Sequence, residues 1–80
     1  MNFYFDNPEY DLHGYDTQQA TASILNILYE LRNSYYDYID VIVGIGTRSV
    51  YYTVVDILDK ERCHYKFLNT NQSKIRIYRK

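Results

Sequence analysis

The stretch Glu9-Tyr10-Asp11-Leu12-His13-Gly14 sets a carboxylate and an imidazole two residues apart, just before a glycine and the start of a helical pattern. If Tyr10 to His13 is extended, the period of two places Asp11 and His13 on one face of a strand and turns Leu12 into a core. An acid and a histidine side by side at a strand's C-terminal end can share a proton, a metal or a phosphate-bearing ligand. The plainer alternative is a solvated strand terminus, with Asp11 accepting backbone N–H bonds in the turn. A second candidate is Gly44-Ile45-Gly46-Thr47-Arg48. It follows a strand and precedes a helix, where backbone N–H groups and a helix N-terminus can hold an anion. Arg48, in the first turn of that helix, would point at whatever the glycines hold. The further glycine and lysine of a P-loop or dinucleotide fingerprint are missing, so a tight turn is the alternative here.

The elements that must position these residues follow from the hydrophobic period. Asp16-Thr17-Gln18-Gln19 matches a capping box, and Ala20, Ile24, Ile27, Leu28 and Leu31 repeat as one buried helix face, predicting a helix from Asp16 to about Asn33. Tyr38 to Val43 reads as a buried strand dense in β-branched residues. After the glycines, Val50, Val54, Ile57 and Leu58 repeat the helical period with Thr47 as N-cap, although Val50 to Val55 has the composition of a strand. A helix is the expected outcome, because parallel strands need a crossover. Cys63, Tyr65 and Phe67, then Ile75 and Ile77, alternate with polar or basic residues around the turn Asn69 to Gln72, which predicts a hairpin. Residues 1–8 read as an extended aromatic arm, and residues 9–80 as a single domain. The expected fold is α/β: a two-layer sandwich in βαβαββ order, a mixed four-stranded sheet with two helices on one face. Its other face would be partly bare and carry Lys66, Lys74 and Arg76. Parallel first and second strands would bring Asp11, His13, Gly44 and Gly46 to one edge of the sheet.

Composition narrows the functional classes. With 80 residues the chain makes one domain. One cysteine, Cys63, excludes a disulfide framework and a cysteine-rich zinc site. The N-terminus lacks the basic region and long apolar run of a signal peptide, and no window approaches a membrane span, so a cytoplasmic protein with no membrane partner is expected. The formal net charge of -1 conceals an asymmetry: residues 1–40 hold seven acids and one base, residues 41–80 eight bases and three acids. A basic C-terminal half can hold a phosphate backbone, and a solvated strand face is the alternative. Eleven tyrosines against three phenylalanines and no tryptophan leave much aromatic area with a polar tip, suited to a core edge, to base stacking or to a second subunit.

Asp11-Leu12-His13-Gly14, then Asp16-x-x-Gln19-Ala20, then Val41 to Thr47, resembles the small MutS-related (Smr) domain family over roughly residues 9–80. That family's usual motifs are Leu-Asp-Leu-His-Gly and, later, His/Thr-Gly-x-Gly. The resemblance implies a two-layer α/β fold similar to the C-terminal domain of translation initiation factor three. It also implies nucleic-acid binding and, in some members, nicking or RNA-cleaving endonuclease activity. Asp11 and His13 match the first motif and Gly44 and Gly46 the second. Val43 stands where the family has His or Thr, Ile45 where it has Lys, and Tyr51 where an Arg is frequent, while Arg48 replaces a common Gly. Asn71-Gln72-Ser73 replaces a Gly-rich approach to the last strand. The expected function is therefore binding of RNA or structured DNA, mainly through phosphates, at Gly44, Gly46, Thr47, Arg48, Lys66, Lys74 and Arg76. Tyr15 or Tyr78 would stack on bases. Cleavage by His13 and Asp11 with Mg or Mn would be an addition that Val43 and Ile45 weaken. The alternative is a protein-interaction or homo-oligomerisation module that keeps the fold and has lost the site, for which the apolar Val43 and Ile45 would serve.

Overall fold

The computed structural model describes residues 7–46 and 48–79. Helix α1 (Thr17–Arg32) starts on the expected capping box. Asp16 Oδ1 accepts the Gln19 N–H at 2.7 Å and Gln19 Oε1 accepts the Asp16 N–H at 3.1 Å. Such a cap contributes about 1 kcal/mol. Ala20, Ile24, Ile27, Leu28 and Leu31 are buried, as their spacing requires. Around this helix lie strand β1 (Glu9–Asp11), strand β2 (Tyr38–Ile42), helix α2 (Ser49–Lys60), strand β3 (His64–Phe67) and strand β4 (Lys74–Tyr78).

The strands form one mixed sheet in the order β1-β2-β4-β3. β1 and β2 are parallel, and β4 is antiparallel to both β2 and β3. One face of the central pair, Ile39 and Val41 with Ile75 and Ile77, is fully buried beneath the two helices and shares a core with Leu12, Val50, Val54 and Leu58. The α/β sandwich thus has the expected layers. Among the described residues, no helix is long and apolar enough to cross a membrane.

Helix α2 settles the conflict between composition and period. Its β-branched residues adopt a helix because that period, and not the period of two, turns Val50, Val54 and Leu58 into the core. Tyr51 of this helix stacks on Phe67 of β3 with centroids 5.8 Å apart. Helix α2 begins later than expected. Arg48 occupies the N-cap position in a left-handed conformation (φ 69°) without a side-chain cap bond. Thr47, expected as the cap and as an anion contact, lies outside the described residues, as does the arm up to Asp6. The arm's last two residues do lie along β2: Pro8 O accepts the Asp40 N–H and Asn7 Oδ1 accepts the Asp37 N–H, both at 3.1 Å.

Two tyrosines pin an outer strand to a helix. Tyr10 of β1 donates to Glu30 Oε1 of α1 at 2.6 Å, and Tyr65 of β3 donates to Asp59 Oδ1 of α2 at 2.8 Å. The bond to Glu30, then burial, pushes Tyr10 up to about 12. Burial, then the bond to Asp59, does the same for Tyr65. In the unfolded chain both phenols return to their ordinary value of 10.0. Unfolding therefore releases their protons above that pH: the stabilisation is intact below pH 10 and is lost as pH rises through about 12. Circular dichroism and tyrosinate absorbance followed together should show unfolding setting in across this window, later in Tyr10→Phe/Tyr65→Phe. A native spectrum persisting after both phenols ionise would contradict the assignment.

Candidate functional site

Strand β1 stops at Asp11, before the histidine. The ladder ends at Leu12, whose N–H still donates to Ile42 O at 2.8 Å while its carbonyl accepts the Tyr15 N–H at 3.1 Å. Asp11 Oδ1 accepts the His13 N–H at 3.0 Å within the same turn. His13 is therefore a turn residue, and the expected strand extending to it is corrected. The pairing survives by a different route, because His13 Nδ1 lies 2.6 Å from the same Asp11 oxygen. These two bonds, the side-chain one first, hold the Asp11 carboxyl below its ordinary range. An ionised carboxylate only accepts, so Nδ1 carries the hydrogen and Nε2 is left as the acceptor of a neutral ring. Both side chains are more than half exposed, at 51% and 68%.

The end of β2 comes up beside this turn. Gly44 has φ +75°, and a Cβ there would sit 3.0 Å from His13 Cβ. Glycine is needed both for its backbone conformation and for the close approach of the two loops. Its amide is not an anion donor: the N–H groups of Val43 and Gly44 both go to Ser73 O, at 2.8 and 3.3 Å. Gly46 differs. It has no positive φ, and a Cβ placed on it would meet nothing within 4 Å, so open space lies over it. Among the described residues, the amides of Ile45 and Gly46 have no acceptor. Val43 points into the core at 4% exposure, so of the apolar pair expected at this edge only Ile45 is exposed.

Arg48 closes the third side. Its Nη1 donates to Gly44 O and to Asn71 O, each at 3.3 Å, and its guanidinium lies 4.0 Å over the Tyr51 ring. The side chain thus ties the β2–α2 loop to the β3–β4 loop instead of projecting from the first helical turn, and its other N–H groups have no acceptor among the described residues. His13, Ile45, Gly46 and Arg48 line one cleft of about 680 Å³ with Tyr15, Asn71 and Ser73. The chain matches no model of a known protein family, and no curated protein matches it. What the cleft can hold follows from its own groups: two amides without an acceptor among the described residues, a guanidinium, an imidazole oriented by a carboxylate, and the exposed ring of Tyr15.

Lys66, Lys74 and Arg76 do not join this cleft. They lie on the bare sheet face, as expected, but two of them are already neutralised. Lys74 reaches across β2 to Glu9 at 2.9 Å, and Arg76 forms a bidentate pair with Asp40 at 2.8 and 3.0 Å. Lys66 alone of the three has no ion pair among the described residues. Asn71 and Ser73 are the cleft residues that motif reasoning missed as ligand groups. They enter because the hairpin loop folds back over Gly44, and no spacing in the sequence signals that.

Mg or Mn, expected with a nuclease, finds no donor set to match. These hard ions take oxygen ligands, usually from one or two carboxylates. Here Asp11 Oδ1 is engaged twice by His13, and among the described residues no three His, Cys, Asp or Glu side chains cluster. No step is therefore assigned to a metal.

Proposed function

We propose that the protein binds single-stranded RNA, or unpaired segments of structured DNA, through phosphate contacts in the cleft at the ends of β1 and β2. The observation that carries this reading is the convergence of the free Ile45 and Gly46 amides with Arg48 and His13 around one opening. Amides near a helix N-terminus together with a guanidinium suit a phosphate. Tyr15 beside them offers a face on which a base stacks. A single strand is favoured over a duplex because the cations that would track a duplex backbone, Lys74 and Arg76, are tied to Glu9 and Asp40. The Smr resemblance supports the same reading, and a single cysteine, Cys63, suits a cytoplasmic setting.

The test is binding of the purified protein to short single-stranded RNA, duplex DNA and branched DNA at two salt concentrations, with the same samples run on a denaturing gel with Mg or Mn. RNA should bind most tightly and lose about tenfold in affinity for a roughly fourfold rise in salt. The substrate should remain intact. Affinity that ignores salt, or no binding at low salt, would sink the reading; cutting that His13→Ala abolishes would add catalysis to it.

A second reading, a protein-interaction module, is favoured by Leu25, Tyr29 and Tyr52, large side chains left exposed on the helical layer. Sedimentation showing self-association, lost in Tyr29→Ser/Tyr52→Ser, would support it.

A further inference from the structure

The sheet face that the helices leave bare carries a row of rings. Tyr38 on β2, Tyr78 on β4 and His64 on β3 are register partners across three adjacent strands. The two phenols meet edge to face with centroids 6.2 Å apart. In the next row Asp40, Arg76 and Lys66 are partners in the same way. There the Arg76 guanidinium lies 3.9 Å over the Tyr38 ring, fixed in its plane by the bidentate bond to Asp40. Flat groups from three neighbouring strands are thus held on one surface.

Charge says what such a surface suits. The three carboxylates on this face, Glu9, Asp11 and Asp40, are each engaged by a cation or imidazole, from Lys74, His13 and Arg76. Exposed Lys66 and His64 have no partner among the described residues. Around the ring row the face therefore presents π surface and the positive charge of Lys66, since Glu9 and Asp40 are paired with cations. The half-exposed Asp11 carboxylate, bonded to an imidazole, lies at the cleft end of the face. Its ion pairs keep it polar, which fits a partner carrying its own charge better than an apolar protein surface.

We infer that a single-stranded nucleic acid seated in the cleft continues across this face, its bases against Tyr78, His64 and the Arg76 plane and a phosphate on Lys66. This rests on the function proposed above. The two regions lie at opposite ends of β2, with Ile42 bordering the cleft and Tyr38 in the ring row. Their separation of about 13 Å is a span of a few nucleotides. Bases splayed on an exposed sheet and stacked on rings or guanidinium planes are a common way to read single strands.

The experiment measures anisotropy of labelled single-stranded oligonucleotides of about four and about ten nucleotides against the parent protein, Tyr78→Leu, Lys66→Gln and Arg48→Gln. The longer strand should bind more tightly to the parent, and Tyr78→Leu should lower that affinity about tenfold while leaving the shorter strand unaffected. Lys66→Gln should flatten the salt dependence of the longer strand by about one phosphate's worth. Arg48→Gln should weaken both strands. Loss of binding in Arg48→Gln with Tyr78→Leu equal to the parent would overturn the extended path and leave the cleft standing. No binding by the parent would overturn both. Should Tyr78→Leu fail to fold, the His64 ring resonance of the unmodified protein decides: it should move with the longer strand and not with the shorter. Tyr78→Leu that dissociates a dimer without touching oligonucleotide affinity would assign the face to a second copy and overturn the inference.

Discussion

Arg76→Met should destabilise the folded chain by about 3 kcal/mol, lowering Tm by roughly 12–24 °C for a domain of this size. The cause is the group left behind. Asp40 is 7% exposed, and its carboxylate receives two charged N–H bonds from Arg76, at 2.8 and 3.0 Å. Methionine fills the space of the aliphatic stem, yet it leaves that carboxylate buried without a partner, and desolvation dominates. The Arg76 side chain is itself 28% exposed, which places the effect at the lower end for a buried pair. The double variant Asp40→Leu/Arg76→Met should recover most of the loss, because it removes the stranded charge as well. Thermal melts of the parent, single and double variants check this. A single variant as stable as the parent would show that the pair is not the anchor of the β2–β4 seam.

Gly44→Ala should lose about 2 kcal/mol and disturb His13 at the same time. The backbone there has φ +75°, which costs any residue with a Cβ, and the added methyl would meet His13 Cβ at 3.0 Å. Either the turn at His13 gives way, breaking the bond to Asp11, or the β2 end shifts and loosens its amides from Ser73. Gly46→Ala meets neither obstacle and should leave stability nearly unchanged. Denaturant titration separates the two glycines, and the His13 ring resonance reports the displacement. A Gly44→Ala protein of parental stability with an unshifted His13 would refute the account.

Much of this fold is legible in the amino-acid sequence. The capping box at Asp16 and Gln19, the buried stripe from Ala20 to Leu31 and the alternation around Ile75 and Ile77 are local signals, and each appears where expected. Helix α2 is legible only through its period, since a strand-like composition yields when burial of Val50, Val54 and Leu58 decides. Two things escape a linear reading. The length of β1 depends on the turn from Leu12 to Tyr15, whose backbone bond takes the Leu12 carbonyl that the ladder would use next. The free charge of the bare face depends on register: counting bases cannot show that Lys74 meets Glu9 or that Arg76 meets Asp40, because those contacts exist only once the strands have paired. The same holds for the cleft, where the motif residues are foreseeable and the contribution of Asn71 and Ser73 is not.

Strand β4, the last in sequence among the described residues, lies in the interior of the sheet, between β2 and β3. Its ties to β2 join residues such as Asp40 and Arg76 that are 36 apart in sequence. Each such closure loses loop entropy before any burial is gained, so nucleation must wait for β2 and β4 to meet across the intervening helix and hairpin strand. A half-formed chain holding only β1, α1 and β2 would expose one side of β2 as a raw hydrogen-bonding edge, and the ring row would not exist. Folding is then expected to be all-or-none and slower than for a helical bundle of equal length. The ring row and the stable state therefore form in the same kinetic event.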